Sequence, residues 1–158
     1  MIKKLIFIPL TWLVLCAFKP SNNTASERIL KDYWLLDKVS YVEPDFYDRI
    51  TLFNDVTNYC FEQSLWRFSE LNNTGTYAIN DLYCSFGKRN ISFDISKSSK
   101  QEGQYDVVLK TVKNNGETES FKIKITEISE NTMQWNHTAW VNNEPHTLKM
   151  SFVKKQAL

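Results

Sequence analysis

The chain has 158 residues, of which 42% are hydrophobic and 23% charged, with a formal net charge of +1. That length implies one domain, the composition sets the chain apart from disordered and collagen-like sequences, and a near-neutral balance without a basic run removes the electrostatic case for nucleic acid as a partner. Aromatic residues make up 14%, which gives a small core large rings to bury.

In chain order, Lys3 and Lys4 precede an apolar run from Leu5 to Leu15 broken only by Thr11. The run is shorter than the ~20 residues of a spanning helix and reads as an export signal over residues 1–16. Leu13-Val14-Leu15-Cys16 resembles the lipobox of bacterial lipoproteins, where the cysteine becomes the acylated first residue; Leu15 stands where that pattern has a small residue. The resemblance implies a lipid anchor on Cys16, the membrane as a partner, and a place in the bacterial cell envelope, periplasmic or at the outer membrane. The alternative is a plain secretory signal cut near Ala17. Residues 17–26 are polar and read as a tether, and the folded domain takes residues 27–158. Export into an oxidising compartment favours a disulfide between the two remaining cysteines, Cys60 and Cys84; two buried free thiols are the alternative.

Ser26 is placed to cap a helical turn over Glu27 to Lys31. Tyr33 to Val42 reads as the first strand, and Glu43 to Tyr59, interrupted by Pro44 and several aspartates, as an irregular stretch with a short helix or turns. Strands follow at Leu65–Ser69, Thr76–Ile79, Asn90–Ser96 and Gln104–Lys113. Asn114-Asn115-Gly116 is a strong hairpin signal, leading into Glu119–Ile128. Thr132–Val141 and His146–Val153 complete the set around a last turn at Asn142-Asn143-Glu144-Pro145. The clearest signal is alternation: Phe121, Ile123 and Ile125 interleave with Lys122, Lys124 and Thr126, and Leu148, Met150 and Phe152 with polar neighbours. Successive strand side chains face opposite ways, so each such strand has one oily and one wet face. Short turns without room for crossover helices make the sheet antiparallel. The expected fold is all-β: an antiparallel up-and-down barrel of about eight strands, preceded by the short N-terminal helical turn.

Leu30, Trp34 and Leu36 resemble the Leu-x-Gly-x-Trp-x-Leu opening of lipocalin-like domains in exported bacterial proteins, with Asp32 in place of the glycine. Cys60-Phe61, Trp66-x-Phe68, Asn72 or Asn73, Gly75-x-Tyr77, Cys84 and Arg89-x-Ile91 resemble the paired-cysteine signature of lipocalin-like lipoproteins. The resemblance implies a lipocalin-like barrel and a Cys60–Cys84 pair. It also implies that Trp34 plugs the closed end, its indole N–H spent on a nearby carbonyl. Arg89 would lie across a ring near that end, or be an ordinary exposed arginine. One fold hosts many functions, so the activity does not follow from it.

The chemistry expected is non-enzymatic. The sequence has no nucleophile elbow and no glycine-rich phosphate loop. His137 and His146 lack metal-ligand spacing with either cysteine, so neither metal nor cofactor is expected. Asp45, Asp48 and Asp55 read as a solvated acidic loop rather than a cation site. His137, on the face of Met133 and Trp135, reads as a packed or edge residue rather than a catalyst. Trp66, Tyr77, Phe121 and Trp135 would grip a small hydrophobic molecule if the barrel is hollow, and fill a closed core if it is not. The two resulting functions are binding of a small hydrophobic ligand by a monomer, and a ligand-free structural or protein-interaction module at the envelope.

Overall fold

The structure, a computed structural model, describes residues 29–156 apart from 44, 70 and 113–115. The expected leader, Cys16, the tether and the Asn114-Asn115 turn lie outside the described residues. So does most of the expected helical turn at 27–31, of which Ile29 and Leu30 make a turn and a bend.

The elements are β1 (Asp32–Tyr41), β2 (Thr51–Leu52), β3 (Val56–Thr57), α1 (Asn58–Phe61), β4 (Leu65–Phe68), β5 (Thr74–Ile79), β6 (Gly87–Lys97), β7 (Tyr105–Val112), β8 (Thr118–Ile128), β9 (Thr132–Val141) and β10 (Glu144–Lys155). Eight strands close a barrel in the order β1-β10-β9-β8-β7-β6-β5-β4, while β2 and β3 pair only with each other. Every pairing is antiparallel. The first strand joins both the last strand and β4, so the barrel itself has no open edge.

Alternation sets which residues point inward. Ile123 and Ile125 on β8, Met133 and Trp135 on β9, and Leu148, Met150 and Phe152 on β10 are all buried. Bulges between Leu36 and Lys38 and between Ile125 and Glu127 shift the register, adding local bend and twist. The β4–β5 pair shows why Gly75 is a glycine: a Cβ there would lie 2.4 Å from the Arg67 carbonyl oxygen.

The last hairpin differs from expectation. Its turn is only Asn142-Asn143, with φ of 52° and 68°, while Glu144 and Pro145 already pair with Val141 and Trp140. Two left-handed residues suffice for the tight turn whose twist suits adjoining strands. Beside a two-residue turn, the Trp140–Pro145 pair falls at a site without ladder hydrogen bonds, where proline's missing N–H costs nothing. Likewise β6 starts at Gly87 rather than Asn90, because Lys88 and Arg89 extend the ladder against Ala78 and Tyr77.

Candidate functional site

The two ends of the barrel are built differently. At the end where β1 begins, Trp34 is 2% exposed, and its indole Nε1–H donates to the Lys31 carbonyl at 2.7 Å. The opposite end is the mouth, roofed by the long connection between β1 and β4.

Within that connection, β2 and β3 form a hairpin whose tip is Phe53-Asn54-Asp55. Phe53 and Asn54 have φ of 51° and 52°, and the Asp55 amide donates to the Leu52 carbonyl at 3.0 Å. A left-handed phenylalanine costs on the order of 1 kcal/mol. The strain is offset by packing, because the turn drives the Phe53 ring into the mouth. The ring lies 5.4 Å from Phe61, 5.3 Å from Phe121, 6.1 Å from Trp66 and 5.2 Å from the His137 imidazole, centroid to centroid.

Polar latches hold this stopper to the rim. Asp55 Oδ2 accepts from the Tyr77 hydroxyl at 2.9 Å and pairs with Arg89 Nε at 2.8 Å, while Asp55 Oδ1 accepts from Arg89 Nη2 at 3.1 Å. Asn54 donates to Glu119 at 2.9 Å on the other side of the tip. Burial, and secondarily the Asp55 carboxylate, push the Tyr77 phenol well above its ordinary value of 10.0. A cleft of about 600 Å³ opens beside the latch, lined among others by Asp55, Phe86, Lys88, Arg89, Thr111 and Val112. The Cys60–Cys84 disulfide ties α1 to the β5–β6 loop at the same end.

The four rings proposed to grip a ligand fall into two settings. Trp66, Tyr77 and Trp135 are buried in the barrel core. Trp66 stacks on Tyr77 at 4.8 Å and meets Trp135 edge-on at 5.4 Å; Phe152 lies 5.8 Å from Trp66 and 4.8 Å from Trp135. Phe121 is half-buried under the stopper. At the level of Trp66 and Trp135, side chains therefore occupy the barrel's width. Trp66 Nε1–H donates to Ser64 Oγ at 2.9 Å, whereas Trp135 Nε1 is buried without a hydrogen-bond partner.

Arg89 lies at the mouth, at the opposite end from Trp34. It neither crosses a ring there nor stands free: besides Asp55 it bonds the Ser85 and Gly87 carbonyls, both at 2.6 Å. Asp55 likewise leaves the solvated loop assigned to it, while Asp45 and Asp48 are exposed. His137 is buried, with Nδ1 3.1 Å from the Lys122 carbonyl. A carbonyl only accepts, so Nδ1 carries the proton, and burial lowers the imidazole's pKa. Among the described residues no cluster of three or more His, Cys, Asp or Glu could hold a metal ion.

Sequence reasoning missed Phe53 as the stopper and Asp55 as its latch. The available signal was a Phe-Asn-Asp turn between short β-branched or apolar residues, where asparagine tolerates the left-handed angles. No family model matches the chain, and no curated protein or solved structure matches it.

Proposed function

We propose that this domain is a non-catalytic binding module of the cell envelope that works from its outer surface, with the barrel as a rigid scaffold. The observation that carries this reading is the occupied interior: Trp66, Tyr77 and Trp135 pack on one another, and Phe53 stoppers the mouth above them. The Cys60–Cys84 disulfide supports an oxidising location. Acylation of Cys16 would supply the attachment. The test is titration with an apolar fluorescent probe such as anilinonaphthalene sulfonate. The expected result is no saturable enhancement; stoichiometric uptake displaced by a fatty acid would overturn the reading.

One observation favours a second reading, capture of a small hydrophobic molecule by a monomer. Trp135 Nε1 is buried with no acceptor, and such a donor costs about 1–3 kcal/mol. A bound molecule with one acceptor atom would satisfy it. Native mass spectrometry of protein isolated from its own host tests this: a single co-purifying mass supports the second reading, and bare protein supports the first.

A further inference from the structure

Most large hydrophobic side chains exposed among the described residues lie at the mouth end, and three of them, Leu82, Tyr83 and Phe86, belong to the β5–β6 loop. They are 84%, 100% and 66% exposed, yet the loop carrying them is braced at Asp81, Tyr83, Cys84, Ser85 and Gly87. Asp81 accepts from the Tyr83 amide through Oδ1 at 2.8 Å and from the Cys84 amide through its carbonyl at 3.2 Å. Cys84 is bonded to Cys60. Arg89 clamps the Ser85 and Gly87 carbonyls while gripping Asp55. Apolar groups held out to water by a rigid loop gain nothing for the fold. Their ordering cost on binding, however, is already met, which is how preorganised contact loops gain affinity.

We propose that the β5–β6 loop is the contact point for a second, different protein, which receives Leu82, Tyr83 and Phe86 in an apolar hollow rimmed by Lys and Arg. The loop can serve this way only if the barrel works from its outer surface, as proposed above. Charge at the mouth selects the partner. Among the described residues, Glu43, Asp45, Asp48, Asp81 and Glu144 stand at this end against Arg49 and Lys88, with Arg89 neutralised by Asp55. Such a surface repels anionic lipid and repels a second copy of itself face to face, and it attracts a basic rim. Leu30 leads into β1 at the opposite end of the barrel, so the loop stands at the end away from the start of β1.

The test places the photo-crosslinker p-benzoylphenylalanine at position 83, and as a control at Leu71, which is exposed at the opposite end, in full-length protein expressed in its own host. The expected result is an adduct with one protein from position 83 and none from position 71. That protein, purified, should bind the wild-type domain with an affinity that falls with salt and falls at least about tenfold in the Leu82→Ser/Phe86→Ser variant, whose melting temperature should match the wild type. The proposal is overturned by adducts only with lipid or with the chain itself, by no adduct, or by a partner whose affinity ignores the double variant or salt. Co-sedimentation of the wild type, but not the double variant, with phosphatidylglycerol vesicles also overturns it. Saturable probe uptake by the barrel would instead sink the outer-surface reading, whereas a probe-free barrel without a position-83 adduct sinks only the partner assignment.

Discussion

Arg89 holds Asp55 through two nitrogens across 34 residues of sequence, Nε at 2.8 Å from Oδ2 and Nη2 at 3.1 Å from Oδ1. Both side chains are about four-fifths shielded, with 19% and 22% exposure, so the pair is screened far less than a surface bridge. Asp55→Ala leaves the Arg89 guanidinium, still bonded to two carbonyls, without its counter-charge and the Tyr77 phenol without its acceptor, and should destabilise the domain by about 2–3 kcal/mol in urea denaturation. Arg89→Leu should cost a similar amount. The double variant should cost clearly less than the two together, because the groups act as one network.

Phe53 closes the mouth, so its truncation should change accessibility as well as stability. Phe53→Ala removes a buried ring and should cost about 3–4 kcal/mol. The vacated space faces solvent beneath the latch, and the apolar fluorescent probe that ignores the wild type should bind this variant. Unchanged probe binding in a folded Phe53→Ala protein would show that the rings below seal the barrel unaided.

The disulfide joins residues 24 apart, and closing such a loop is worth roughly 3 kcal/mol in the chain-entropy model. Cys60→Ser/Cys84→Ser should lower stability by that order. The loss should be read against wild-type protein with and without reductant, which should reproduce it. Cys84 loses its covalent tie while Arg89 and Asp81 still brace the loop's ends, so amide exchange should quicken most at residues 82–85 and little in β8 or β9.

Stability should fall at both ends of the pH range. Burial holds the His137 pKa below 6.5, so the unfolded chain takes up the proton first as pH drops. Stability from this group is full above about 6.5, is lost as pH falls from there to the lower native value, and then levels. The Tyr77 phenol is raised above 10.0 by burial and by Asp55. There the unfolded chain ionises first, so stability is full below about 10 and declines as pH rises beyond it. Urea midpoints against pH should show both slopes, with Tyr77→Phe flattening the alkaline limb and leaving the acid limb in place.

The barrel wall was readable from sequence because alternation is a local signal. Thr132–Val141 was delimited at both ends, and Phe121, Ile123 and Ile125 face the interior to differing depths. The stopper was not readable. Two strands of two residues each carry no period, and a phenylalanine in the left-handed region contradicts its own propensity. Arg89 shows a different limit. It sits at the start of β6, and because β1, β4, β5 and β6 run alternately in opposite directions, that start lies at the other end of the barrel from Trp34; the resemblance alone did not carry that placement. Whether an aromatic ring lines a hollow or fills it depends on its neighbours across the barrel, and Trp66 meets Trp135 from 69 positions away.

The seam between β1 and β10 has a consequence for biogenesis. Residues near 35 must wait for partners near 153, so a nascent chain lacking its final hairpin still displays two raw strand margins that attract other unfinished chains. A partly made copy is therefore a substrate for chaperones and proteases, and only the complete polypeptide can hide itself from them.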